Sequence, residues 1–130
     1  MSRSMRSALR VRSIVAMQEE SNTDEWPPPQ ARLQGILWRA EGHLLRTEYG
    51  QAAAALTEAA GLGEKELVAG LRHLAAAGWR AQNGEPERAR RQLAHAQRRL
   101  GPFLPEWREV EVARVLASTV ESVDGELAEP

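Results

Sequence analysis

The chain has 130 residues, 42% of them apolar, with a formal net charge of −1 and no cysteine. That apolar content is enough for one compact core and argues against disorder of the whole chain, while the balanced charge gives no global pull toward nucleic acid or a membrane surface. The missing cysteines exclude disulfides, thiolate catalysis and zinc–sulfur sites.

Arg3, Arg6, Arg10 and Arg12 make the first stretch basic, and no acid occurs before Glu19. Arginines interrupt the apolar residues between Ala8 and Met17, so this stretch lacks the unbroken core of a secretory signal. No apolar run approaches the roughly 18 residues of a membrane span. The chain therefore reads as cytoplasmic, with no membrane partner and with Met17 as a candidate start. Gln18 to Gln30 is acidic and then proline-rich, ending in Pro27-Pro28-Pro29. Prolines bar a helix there and suit the approach to one. Residues 1–30 thus read as a flexible N-terminal segment, 31–124 as the helical domain and 125–130 as an acidic, frayed tail.

Leu33, Ile36, Leu37, Ala40 and Leu44 recur at three- and four-residue spacing, which predicts a first helix from Gln30 to about Thr47. Gly50 opens an alanine-rich second helix that Gly61 and Gly63 stop. A third begins near Glu64, with Leu67, Leu71, Leu74, Ala75 and Gly78 on one side, and ends at Asn83-Gly84. Pro86 suits the first turn of a fourth, whose inner stripe is Ala89, Leu93, Ala96 and Leu100, and Gly101-Pro102 ends it. Pro105 is taken to start a fifth, with Trp107, Val110, Ala113, Leu116 or Ala117, and Val120 facing inward. No strand pattern occurs. Short connections imply antiparallel neighbours, so the expected fold is all-α, a single bundle of about five helices. Trp79, on the helix that carries Gly70 and Gly78, is expected to fill the core beside them.

Ala69-Gly70-Leu71-Arg72-His73-Leu74-Ala75-Ala76-Ala77-Gly78-Trp79, followed by Gly84, Ala89, Leu93, Ala96 and Leu100, resembles the second half of the "domain of unknown function 309" family over roughly residues 46–101. The resemblance implies a helical bundle and a divergent member. That family's preceding helix carries a His/Glu/Glu/Trp pattern; at the aligned positions this chain has Ala53, Ala54, Thr57 and Ala60. The resemblance therefore implies no activity.

The residues themselves point the same way. His43, His73 and His95 lie on three different helices with no metal-ligand spacing, and there is no E-x-x-H, G-x-S-x-G or phosphate loop. No catalytic residue, cofactor or metal is expected. The positive signal is the fourth helix, where Arg88, Arg91, His95, Arg98 and Arg99 fall outside the apolar stripe and no acid lies between Arg88 and Arg99. Such a face fits an anion or an acidic partner; the plainer alternative is a solvated face neutralised by Glu85, Glu87 or the acidic tail. The expectation is a non-catalytic module that binds a protein partner or itself. The alternatives are a nucleic-acid binder acting through the arginines, which balanced charge and the lack of a stacking platform disfavour, and a degenerate enzyme or ligand-binding bundle.

Overall fold

The computed structural model describes residues 26–128, for 127 and 128 the backbone alone. The basic stretch, the Met17 start, the acidic part of the linker and the last two residues of the tail lie outside them. The chain divides into two compact units after Ala31. Trp26–Ala31, the described part of the first, is exposed and includes the opening of α1.

Among the described residues five helices follow one another: α1 (Pro29–Leu45), α2 (Tyr49–Thr57), α3 (Lys65–Gln82), α4 (Pro86–Leu100) and α5 (Val112–Ala128), with a 3-10 turn at Gly101–Phe103. Among the described residues there is no strand, only an isolated bridge between Trp107 and Val110. The architecture is the expected all-α bundle. Each stripe read from the sequence of α1 and α3 is buried, Leu33, Ile36, Leu37, Ala40 and Leu44 on one and Leu67, Leu71, Leu74, Ala75 and Gly78 on the other. Burying such leucines stabilises the fold by about 2 kcal/mol each.

The helix ends are set by the same device twice. At the end of α3 the Glu85 N–H donates to the Arg80 carbonyl (2.9 Å) and the Gly84 N–H to that of Ala81 (3.1 Å), with Gly84 at φ 74°. That is a Schellman motif, which reverses the chain within two residues. At the end of α1, Glu48 N–H donates to His43 (2.8 Å) and Thr47 N–H to Leu44 (3.1 Å). Here Thr47 takes the left-handed position, at φ 60°, although threonine gives no glycine signal in the sequence.

Glycine lets α3 sit close to its neighbours. A methyl group on Gly70 would overlap the Leu100 side chain, and one on Gly78 would overlap the Tyr49 ring. Trp79 does not fill that gap, contrary to expectation. It is 44% exposed, with the Arg80 guanidinium 5.6 Å from its ring centroid. Tyr49, 1% exposed, takes the inner position.

The fifth helix also corrects the sequence reading. It starts at Val112, not Pro105, and its buried face is Val112, Val115, Thr119 and Val123. Ala113 and Ala117 face outward, and Leu116 and Val120 are half-buried. The cause lies before it. Trp107 and Val110 exchange both backbone hydrogen bonds (3.0 and 2.8 Å) around Arg108 and Glu109, which stand at φ 45° and 67°. Two positive φ angles in a row make a tight hairpin turn, incompatible with a helix through it. The Gln34 amide donates to the Arg108 carbonyl (2.8 Å), and the Glu41 carboxylate accepts from the Glu111 N–H (2.8 Å), holding the turn against α1. At its other end α5 continues through residues 125–128, where a frayed tail was expected.

Candidate anion-binding face

Because α3 and α4 are joined by a reversal at Gly84, residues equally far from it face each other. His73 and His95 stand eleven residues to either side, and their rings stack with centroids 5.1 Å apart and planes 29° from parallel. His73 Nδ1 lies 2.6 Å from Gln92 Oε1. One turn off that register, the same antiparallel packing brings Arg99 to Glu66 (2.9 Å), and at the turn itself Arg80 meets Glu85 (2.6 Å).

All five residues expected on the outer face of α4 are there: Arg88, Arg91, His95, Arg98 and Arg99 are exposed, as is Arg90. The neutralisation is uneven. Glu85 reaches Arg88 at 3.7 Å but engages Arg80 more closely. Glu66 holds Arg99, a pairing across helices that spacing along one helix does not reveal. Among the described residues, Arg90, Arg91 and Arg98 have no carboxylate within 4.0 Å, and Glu87 has no ion pair. Arg98 instead donates from Nη2 to His95 Nδ1 at 2.7 Å. A guanidinium has no lone pair to offer, so this bond requires Nδ1 of His95 to be unprotonated. Consistently, the His95 pKa is lowered, first by desolvation against its neighbours and then by Arg98, His73 and Arg99. At the C-terminal end of the face a shallow depression of about 550 Å³ is lined by Glu66, Arg98, Arg99, Pro102 and Phe103.

The third histidine serves a corner. His43 Nδ1–H donates to Glu48 (2.7 Å), and Arg46 Nε donates to the same oxygen (3.1 Å). The His43 hydrogen bond lowers the Glu48 pKa, partial desolvation opposes it, and Arg46 adds to the lowering. This cluster ties the α1–α2 reversal. Among the described residues no group of three or more histidine, aspartate or glutamate side chains is placed to hold a metal ion.

On α2 and the turn after it, where the resembled family carries its polar pattern, Ala54 and Ala60 are exposed, Ala53 is half-buried, and the exposed Thr57 donates its hydroxyl to the Ala53 carbonyl (2.9 Å). These positions gather no acid–base pair.

Sequence reasoning found the arginine face but missed His73, Gln92 and Glu66. The signal was present: the Asn83-Gly84 stop fixes a hairpin register, and counting outward from it pairs the two histidines. Comparison with known protein families, with characterised proteins and with solved structures returned no match. No described helix is long and apolar enough to cross a membrane.

Proposed function

We propose that the chain is a non-catalytic binding module that docks an acidic segment of a protein partner on the outer face of α4. The observation that carries this reading is the row of exposed arginines from Arg88 to Arg99, of which Arg90, Arg91 and Arg98 lack a carboxylate partner among the described residues. Exposed charge of one sign steers an oppositely charged partner and fixes its register. A protein partner is favoured over nucleic acid because α4 carries no phenylalanine, tyrosine or tryptophan on which a base would stack. A second copy of the chain is the other protein partner in this class, and exposed Trp38 and Trp79 offer it apolar area. A cytoplasmic setting and a divergent kinship with the domain of unknown function 309 family belong to the same reading; the kinship rests on the small and apolar register of residues 69–100.

The test is fluorescence anisotropy with a labelled oligoglutamate peptide and, in parallel, a labelled single-stranded RNA. The peptide is expected to bind, more weakly as salt rises. Replacing Arg90, Arg91 and Arg98 together with glutamine removes three surface ion pairs with the peptide of roughly 0.5 kcal/mol each, a loss of about tenfold in affinity. Preference for RNA would transfer the face to nucleic acid. Equal binding by the triple variant would remove α4 as the docking face.

A further inference from the structure

We propose that His95, with Arg91 and Arg98 beside it and His73 stacked behind it, is a proton-coupled oxyanion site that takes a carboxylate of the acidic partner and binds one proton with it. The inference rests on the reading above that α4 is the docking face, and it names the atoms that meet the incoming charge.

The geometry supplies the argument. Arg91 precedes His95 by four residues and Arg98 follows it by three, so the three side chains are neighbours on one helix face. Arg98 Nη2 is bonded to His95 Nδ1 at 2.7 Å, so the ring is neutral and its proton sits on Nε2. The Nδ1–H of His73 is directed at Gln92 Oε1 (2.6 Å), which fixes the ring that shields one face of His95. The charged and titratable groups around His95 are Arg98 and Arg99, with Arg91 one turn back, on α4, and His73 on α3. Glu66 of α3 is engaged by Arg99. No carboxylate among the described residues lies within 4.0 Å of His95.

His95 is therefore a base surrounded by donors and cations, in want of an anion. A carboxylate that enters between Arg91 and Arg98 accepts from both guanidinium groups and from His95 Nε2–H. Its negative charge removes the penalty on protonating the ring. A proton from solvent then adds to Nδ1, the Arg98–Nδ1 bond breaks, and the freed guanidinium edge turns to the ligand. One hydrogen bond is exchanged for a charge-assisted pair, and one proton is taken up. Linkage then requires the affinity to rise as pH falls through the window between the free and bound pKa of His95, by at most about tenfold per pH unit.

Two measurements on the whole chain test this with oligoglutamate as the probe. Titration calorimetry in two buffers of different ionisation enthalpy reads proton uptake, and proton NMR of the His95 ring reads its pKa with and without peptide. Uptake of a fraction of a proton, a raised His95 pKa in the complex, and about three- to tenfold tighter binding at pH near 5.5 than near 7.5 are expected. His95→Gln keeps a polar side chain and should abolish the pH dependence while retaining salt-sensitive binding. Peptide binding that depends on the arginines but shows no proton uptake and no movement of the His95 resonance overturns this site alone. Absence of oligoglutamate binding at either pH overturns the docking reading and this site with it.

Discussion

Tyr49 shows how much a single side chain decides in a core of this size. Its ring is buried over Gly78, but among the described residues its hydroxyl makes no hydrogen bond of good geometry, with Ser122 and Thr119 only nearby. Thr119 lies near it but gives its own hydroxyl to the Val115 carbonyl (2.8 Å). Burial raises the pKa of the phenol, with Ser122 and Thr119 opposing, so the neutral form is held. A buried polar group without a partner costs about 1–3 kcal/mol. Tyr49→Phe preserves the ring's packing and removes that group, so the variant should be as stable as the parent or more stable by up to about 1 kcal/mol. Urea denaturation midpoints decide it. A loss of about 1 kcal/mol or more would mean that the hydroxyl is bonded in solution.

Among the helices α3 is the central one, since α2, α4 and α5 all pack on it. Close approach rests on its glycines, which cost helix propensity of about 1 kcal/mol each relative to alanine. Gly78→Ala regains that propensity but drives a methyl group into the Tyr49 ring. Overpacking of this kind costs about 1–3 kcal/mol, so a net destabilisation of up to about 2 kcal/mol is expected. The penalty should shrink or reverse in a Tyr49→Leu background, because the two changes share one contact; thermal denaturation of the four proteins measures the coupling, and additivity would contradict the contact. The role of Gly78 as a small residue under a close neighbour was legible in the sequence, as were the stripes of α1 and α3 and the turn at Gly84, because periodicity and glycine are local signals. The neighbour itself was not. Tyr49 and Trp79 are both aromatic, and which one enters depends on the tertiary path of α2. The start of α5 was illegible for a related reason. Arg108 and Glu109 hold positive φ with no glycine or asparagine to announce it, supported by Gln34 and Glu41, which lie far off in the chain. The arginine face could be read from α4 alone, whereas the histidine stack required two helices and their register.

For the whole molecule, two titrating groups shape the acid side of the pH profile, and both act in the same direction. The His95 pKa lies below its ordinary value of 6.5 in the folded protein. The unfolded chain therefore binds its proton first as pH falls, and stability is lost below about pH 6.5 down through the folded pKa. The Glu48 pKa lies below its ordinary value of 4.5. Its contribution is present above that value and is lost as pH falls through the folded pKa. The free protein should thus be most stable near neutrality and lose stability in two steps on acidification. Urea midpoints at about pH 7.5, 5.5 and 4 resolve them. His95→Gln should flatten the first interval and leave the second, and Glu48→Gln should do the reverse. The first step also connects stability to binding. An anion on α4 that raises the His95 pKa restores in the complex what protonation removes from the free protein, so saturating oligoglutamate should cancel the loss between about pH 7.5 and 5.5 in the parent. A loss in that interval that persists at saturation would assign it to groups away from α4.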